Sequence, residues 1–364
     1  MKKINFRQVS IIIFYLLVSL KFLALPSLVY QDASADSWLV FLIMAVIDIG
    51  LIWVSIYLIR SANEKNLYEF LKNRIGVIFT KIVLVLFFLV FVLDILDGIT
   101  GIYRLLVEDF YTDIKWYNYI VPLLCLISFM SYKGIRNIGR VCEIFVWVVI
   151  VALVFVILKS LAEFDFFFFL PSFTKGVAPV FKSISTHISW FGSPIAIIFF
   201  IGDVDKSGYN KSILWKYILI AILEIFILIT VFYGVFKETA GMHSFAMSDL
   251  SQVANESTAI DEISWFTVIL WVLAQILSLS IIFYASVECL RYIFNVKNSW
   301  LPILIINILI VVYMNVDSFT VSLEKYFFTP PVLILEWITK IGVIGVIFVA
   351  NIIYQKKKRR KKNA

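Results

Sequence analysis

The sequence predicts an all-α polytopic membrane protein, and three observations lead to that prediction. Of the 364 residues, 62% are hydrophobic and 34 are phenylalanine, whereas about 45–50% apolar is usual in soluble domains. The apolar residues form long runs that are sufficient for a helix to cross a bilayer. Because these runs do not alternate with polar residues, they fit helices rather than the strands of a membrane barrel.

Windows of about 20 apolar residues predict ten transmembrane helices, which we call spans 1 to 10. Their approximate bounds are 7–30, 38–60, 78–106, 117–133, 138–161, 184–202, 212–236, 263–291, 299–316 and 331–354. The longest polar interruption, 237–262, lies between spans 7 and 8. We therefore expect a single transmembrane domain over 1–364 that ends in a basic tail, 355–364.

The distribution of Lys and Arg predicts the orientation of the chain. Of 32 basic residues, 23 fall on one side of the predicted spans and seven on the other, while Lys21 and Lys340 lie within spans. Basic loops stay in the cytoplasm, so both termini are predicted to be cytoplasmic. The basic tail fits a contact with anionic lipid headgroups, worth about 1 kcal/mol per cation near the surface. No soluble basic domain is present, which argues against a nucleic-acid partner.

Catalytic and metal-binding motifs are absent from the sequence. Its three cysteines lie in apolar runs, and neither CxxC nor His-x-x-x-His spacing occurs. We therefore expect no disulfide framework, no zinc site and no cofactor. With no nucleophile–base pair or phosphate loop in view, an enzyme is not expected.

Lys21 is the most unusual residue of span 1. A charge at the centre of a membrane helix costs about 3 kcal/mol, so it persists with a partner or a purpose. Ser19 and Phe22 flank it, and Pro26 follows at a predicted helix break. A charge beside a break in a membrane helix is typical of solute-binding sites.

Other costly polar residues lie inside the predicted spans. They are Asp48, Asp94, Asp97, Glu143, Glu224, Glu288, Glu336 and Lys340. Asp94 and Asp97 share one face of span 3 and are the predicted partners of Lys21, either as structural glue or as a proton or substrate-ammonium site. Glu143, Glu288 and Lys340 lie nearer to helix ends, from which they can reach the membrane surface.

Span 6 contains the second predicted break, in the segment 185–194. Its candidate ligand-binding residues are His187, Ser189, Trp190 and Gly192, and a proline follows at position 194. Glycine and proline free backbone groups from helical bonding, which is tolerated at membrane depth where protein buries them or where they line a cavity. A simple proline kink is the alternative. Interruptions at corresponding positions of two five-helix halves favour a binding site, with repeats at about 7–161 and 184–354.

Two further sets of polar residues are possible contributors to this site. His187 is either a pH-sensitive group or a histidine that is hydrogen-bonded to neighbouring helices. Three polar residues of span 8 are either lining the same cavity or joining helices together. They are Gln275, Ser278 and Ser280.

Short motifs along nearly the whole chain resemble those of the GerAB-type spore germination permeases. They are Lys3-Ile4-Asn5-Phe6-Arg7-Gln8, Leu25-Pro26, Asp36-Ser37-Trp38, Gly134-Ile135 with Arg140 and Glu143, Leu170-Pro171 with Gly176 and Pro179-Val180, Phe191-Gly192, and Ile263-Ser264-Trp265. That family belongs to the amino acid–polyamine–organocation superfamily. The resemblance implies a LeuT-like fold of two inverted five-helix repeats, with a ligand between broken spans 1 and 6.

The resemblance also implies a role as the membrane subunit of a germinant receptor. Such a subunit senses an amino acid or another small nutrient together with two partners, a large membrane subunit and a lipoprotein, in the bacterial cell membrane or the spore inner membrane. An autonomous proton-coupled amino-acid transporter is the alternative. Ser19 and Lys21 stand where the family usually has glycines, so Lys21 is expected either to pair with a ligand carboxylate or to occupy a cation site.

Overall fold

The computed structural model describes residues 3–19, 21, 24–109, 115–170, 172–173, 176–253, 258–315 and 329–363. These residues are helical almost throughout, and β-structure within them is limited to a bridge between Ile4 and Val204. The α-helices are α1 Phe6–Val18, α2 Leu25–Ala33, α3 Ser37–Ser61, α4 Leu67–Ile75, α5 Val77–Asp109, α6 Trp116–Lys133, α7 Ile135–Ser160, α8 Ala178–Thr186, α9 Lys211–Phe236, α10 Ala246–Gln252, α11 Thr258–Phe294, α12 Trp300–Met314, α13 Pro330–Trp337 and α14 Ile344–Asn363.

Shorter helical segments complete the chain path at the breaks and loops. The 3₁₀ segments are Ser34–Asp36, Leu161–Glu163, Phe166–Phe169, Ile188–Trp190, Ser193–Phe200 and Lys237–Met242, and a π-helical turn, Ile338–Val343, joins α13 to α14.

Six helices of the described chain are long and apolar enough to cross a membrane, or seven if the bent pair in span 6 is one span. Two further apolar helices, α1 and α12, are shorter, at 13 and 15 residues. The all-helical membrane class is thus confirmed, whereas the count of ten spans remains a prediction.

Local sequence signals explain where several helices begin. Asn5 caps α1 in a reciprocal arrangement with Gln8, in which each side chain accepts the other residue's backbone N–H. Pro26 lies in the first turn of α2, where its missing N–H costs nothing, so it starts the second half of span 1 rather than kinking it. Asn66 caps α4, a short helix that the apolar windows do not predict.

Span 1 consists of two helices, α1 and α2, in agreement with the break that the sequence predicts, and α2 leads almost directly into α3 through one 3₁₀ turn. Helix α14 continues through Asn363, so most of the predicted basic tail, 355–364, is helical.

The bundle is built around α1, which is buried along nearly its whole length. It packs against α9, α7 and α11, while α11 packs in turn against α5, α6 and α7. The 3₁₀ half of span 6, Ser193–Phe200, is fully buried against α3 and α1. Both broken spans therefore lie at the centre of the molecule.

At the end of the bundle where the basic segments lie, backbone contacts hold neighbouring segments together. Ile4 N–H donates to the Asp203 carbonyl and the Ile4 carbonyl accepts from Asp205 N–H, both at 2.8 Å. Gly202 has φ +100°, and an added Cβ there would collide with the Lys65 carbonyl. These contacts tie the N-terminus, the end of span 6 and the α3–α4 loop together.

At the opposite end of the bundle, side chains donate hydrogen bonds to backbone carbonyls of other segments. Tyr233 donates its hydroxyl to the Pro26 carbonyl at 2.8 Å, and Gln31 donates to the Gly241 carbonyl at 2.7 Å. Lys182 pairs with Asp32 at 3.1 Å, which links α8 to α2. The breaks of spans 1 and 6 thus lie between two ends of the bundle, each of which is held together by hydrogen bonds.

Candidate functional site

The break of span 1 lies between Val18 and Leu25, where the sequence predicts it. The carbonyl of Ser19 is left outside the helix and accepts a hydrogen bond from Gln275 Nε2 on α11. A buried carbonyl at membrane depth needs such a partner. Gln275 thus joins α11 to span 1, which is the helix-joining alternative for this residue.

Lys21 is buried and forms an ion pair with Asp48 of α3, at 2.5 Å. The other Asp48 oxygen accepts the Gly192 N–H at 2.8 Å. Lys21 Nζ also lies 4.5 Å from the centroid of the Phe191 ring, a cation–π arrangement. One carboxylate thus links span 1 to the break of span 6.

The prediction that Lys21 pairs with Asp94 or Asp97 is wrong. Both aspartates lie on α5, but the Lys21 ammonium is directed to α3 instead. Asp94 pairs with Lys340, and Asp97 has interactions of its own. Helical spacing placed the two aspartates on one face of their helix, but it gave no information on which neighbouring helix that face meets.

Span 6 bends by 60° at its break. Gly192 is in the left-handed region at φ +80°, and an added Cβ would lie 3.0 Å from Lys340 Cδ. Glycine is therefore required here twice, for its torsion and for the close approach of Lys340.

A second group of buried charges contacts this break. Lys340 Nζ is 2.7 Å from Glu336, 3.1 Å from Asp94, and 2.6 Å from the Ser189 carbonyl, to which it donates. The expectation that Lys340 reaches the membrane surface is wrong, because its side chain is fully buried. The π-helical turn that contains Lys340 adds a residue to the helix and so changes which side chains face the break.

Of the other predicted residues of span 6, His187 and Trp190 are buried near the same break and Ser189 is half-buried. His187 Nδ1 lies 2.9 Å from the Ser183 carbonyl and 3.8 Å from Asp32, and its ring stacks on that of Trp190. The hydrogen bond runs to the preceding turn of α8 rather than to a neighbouring helix, and both alternatives for this histidine stay predictions. Phe22 of span 1 lies outside the described residues.

One face of α11 presents polar atoms without partners to the break of span 1. Trp271, Gln275 and Ser278 follow one another at spacings of four and three residues, which places them on one side of the helix. Four buried atoms near this face have no hydrogen-bond partner within the described chain: Ser19 Oγ, Trp271 Nε1, Gln275 Oε1 and Ser278 Oγ. Ser280, in contrast, donates to the Ile276 carbonyl of its own helix.

A cavity of about 170 Å³ lies beside the Lys21–Asp48 pair, between α3 and α9. Apart from that pair its walls are apolar, with Leu17, Phe41 and Phe226 among them. The lining of this cavity includes Lys21 and Asp48 but none of the charged residues around Lys340.

Three of the residues that form the site have weak signals in the sequence. Asp48, Glu336 and Lys340 stand out as charges in apolar runs, but nothing in the spacing links them to spans 1 and 6. Trp271 has no signal, because a tryptophan in an apolar run is ordinary. These charged residues meet spans 1 and 6 only because α3 and α13 pack against the break of span 6.

This pair of broken helices, held at the centre of an apolar bundle, agrees with what comparison with known proteins finds. The model of a family described as "Spore germination protein" (Spore_permease) matches residues 3–321. The chain belongs to the spore germination protein family. Membership confirms the predicted resemblance and identifies the chain as a multi-pass integral membrane protein of permease type.

Solved structures support the fold of this spore germination family member. Two single-site variants of the manganese transporter from Eremococcus coleocola each match with a TM-score of 0.53 and 12% sequence identity, over 96% of this chain and 85% of theirs. At that identity the likeness concerns the fold alone, which is that of the LeuT-like transporters. No curated protein sequence matches the chain. Within the described residues, no group of three or more His, Cys, Asp or Glu side chains is placed to hold a metal ion.

Proposed function

We propose that this chain is the membrane-embedded, ligand-binding subunit of a spore germinant receptor. It binds a small, amino-acid-like nutrient between broken spans 1 and 6 and signals through two partner subunits, a large membrane subunit and a lipoprotein. Two inverted five-helix repeats, with the breaks at corresponding positions, are part of this proposal.

The four unpartnered polar atoms beside the break of span 1 carry the proposal. Buried polar groups are nearly always hydrogen-bonded, so such a cluster needs an occupant. A small polar ligand placed between Ser19 and the α11 face has donors and acceptors within reach on both sides. The enclosure of this region at both ends supports a site for a small molecule rather than for a peptide.

The test is ligand binding by the full chain in lipid nanodiscs. A thermal-shift screen of amino acids, sugars and nucleosides should find a compound that raises the unfolding temperature, since a ligand stabilises the state that binds it. Ser278→Ala should then weaken the affinity for that compound roughly tenfold, the value of one hydrogen bond of about 1.4 kcal/mol.

Ser286→Ala provides the matched control on the same helix. Ser286 is equally buried, but its hydroxyl donates to the Ile282 carbonyl and so has no free bond to offer a ligand. Its affinity should stay within about twofold of the unmodified chain. Failure of every compound to bind, or equal effects of the two substitutions, would contradict the proposed site.

An autonomous proton-coupled amino-acid transporter is the second candidate, favoured by the likeness of the fold to that of a transporter. Proteoliposomes that contain this chain alone distinguish the two functions. Accumulation of the bound compound would favour the transporter, whereas binding without accumulation would favour the receptor subunit.

A further inference from the structure

Three ionisable side chains meet beside the break of span 6, at Asp94 of α5, Glu336 of α13 and Lys340 of the π-helical turn. Their side chains are at most 2% exposed. Lys340 Nζ lies 3.1 Å from Asp94 Oδ1 and 2.7 Å from Glu336 Oε2. We call these three residues the lysine cluster.

The lysine cluster has two acidic groups for one basic group. With all three ionised it would hold a net charge of −1 at a depth where an uncompensated charge costs several kcal/mol. Within the described part of the chain, the charges that act on Glu336 include no cation besides Lys340: Asp97, one turn further along α5, acts on it with a charge of the same sign. From the broken span, His187 directs Nδ1 to Ser183 and Asp32.

Unpaired oxygen atoms mark the place of a missing positive charge. Asp94 Oδ2 and Glu336 Oε1 are buried and have no hydrogen-bond partner in the described chain, whereas Glu336 Oε2 is in ion-pair contact with Lys340. A proton bound to either carboxyl group removes the excess charge. We propose that the lysine cluster binds one exchangeable proton, shared between Asp94 and Glu336.

The bound proton is linked to the shape of the break. Lys340 also donates to the Ser189 carbonyl and packs its side chain against Gly192. When the proton leaves, both carboxylates attract the Lys340 ammonium, which weakens its bond to Ser189. Proton occupancy thus biases span 6 without any nutrient, so this proposal stands apart from the proposed function.

Infrared spectroscopy of the full chain in lipid nanodiscs counts protonated carboxyl groups from their carbonyl stretching band. All samples carry Glu224→Gln, because Glu224 is another buried carboxyl group, whose oxygens have no hydrogen-bond partner among the described residues. At neutral pH, Glu336→Gln and Asp94→Asn should each lose one protonated carboxyl group per chain. Either substitution leaves one carboxylate and one ammonium, a neutral pair, so the double variant should lose no more than one.

Two further variants complete the test. Lys340→Met should gain one protonated carboxyl group, since both acids then lack a cation. Glu143→Gln is the control and should leave the band unchanged, because Glu143 is partly exposed and paired with Arg7. If either Glu336→Gln or Asp94→Asn left the carbonyl stretching band unchanged, the proposal would be overturned. The parent sample provides a test that does not depend on whether a variant folds. Its carbonyl stretching band should lose one carboxyl group at high pH, and persistence of the full band there would also overturn the proposal.

Discussion

At the scale of single residues, buried charges are compensated by partners from distant parts of the chain. Lys21 is separated by 27 residues from Asp48, and Lys340 by 246 residues from Asp94. Their low-dielectric surroundings make these contacts obligatory, since an ion without a partner would be far more costly than the pair.

Asp48→Asn should destabilise the chain by about 3–5 kcal/mol, because it leaves the Lys21 ammonium buried without a counter-charge. The side-chain oxygen of asparagine can still accept the Gly192 N–H, so the effect reports on charge. Unfolding in mixed micelles measures it. The double variant Lys21→Met/Asp48→Asn should recover much of the loss, and a double variant less stable than both single variants would contradict the ion-pair account.

A pH dependence follows from Asp203, at the basic end of the bundle. Burial and the Glu288 carboxylate raise the pKa of Asp203 to about 6. The folded chain thus holds this proton more tightly than the unfolded chain does, and the stability that it contributes is lost as the pH rises from about 4 to about 6. Asp203→Asn should remove that loss, so its melting temperature relative to the parent should increase by a few degrees over this range and level off above it.

Asp205→Asn is the control for this pH series. Hydrogen bonds from Ser207 lower the pKa of Asp205, so its contribution to stability is present at neutral pH and is lost on acidification. Its melting temperature relative to the parent should therefore change with pH in the opposite direction. Equal pH profiles for the two variants would contradict the assignment.

At the scale of elements, the broken spans are defined by the groups that replace their helical hydrogen bonds. Side chains from α3, α11 and the π-helical turn bind the freed backbone groups of Gly192, Ser19 and Ser189. The sequence predicts both breaks because proline, glycine and polar residues interrupt apolar runs. It does not predict the partners, which come from helices elsewhere in the chain.

Gly192→Ala should disturb the break of span 6. An alanine at φ +80° costs about 1–2 kcal/mol of backbone strain, and its Cβ would press on the Lys340 side chain. The unfolding temperature should fall, and ligand affinity with it. Gly342→Ala is the matched control in the adjacent π-helical turn, where nothing lies within 4 Å of an added Cβ, and it should be nearly neutral. Similar losses in both variants would argue against the special role of Gly192.

At the scale of the whole molecule, the basic segments are gathered at one end. Asn351 of α14 donates to Ser61 at 2.8 Å and accepts from Arg74 at 2.7 Å, while the N-terminus pairs with residues 203–205. The positive-inside rule predicts that this end faces the cytoplasm.

Cysteine labelling in intact cells tests that orientation. In a chain whose Cys125, Cys142 and Cys289 are replaced by alanine, Met242→Cys should react with a membrane-impermeant maleimide from outside, since Met242 is 84% exposed at the opposite end. Lys358→Cys should react only after the cells are permeabilised. The reverse pattern would show that the predicted orientation is wrong.

The sequence by itself determined the membrane class, the helical secondary structure and the positions of both breaks. These properties depend on local features: the length of apolar runs, the torsions of Gly192 and the missing donor of proline. The family also followed from short motifs, since they keep their order along the chain.

The tertiary structure alone decided which charges meet. Helical periodicity fixes the face of a helix on which Asp94 lies, but the neighbour of that face depends on how distant helices pack. Lys21 therefore pairs with Asp48 of α3, and Lys340, one helix turn from Glu336, reaches Asp94 through a π-helical turn. In a medium of low dielectric the choice of partner determines the energy of each charge, so the chemistry of this site is a property of the packed bundle.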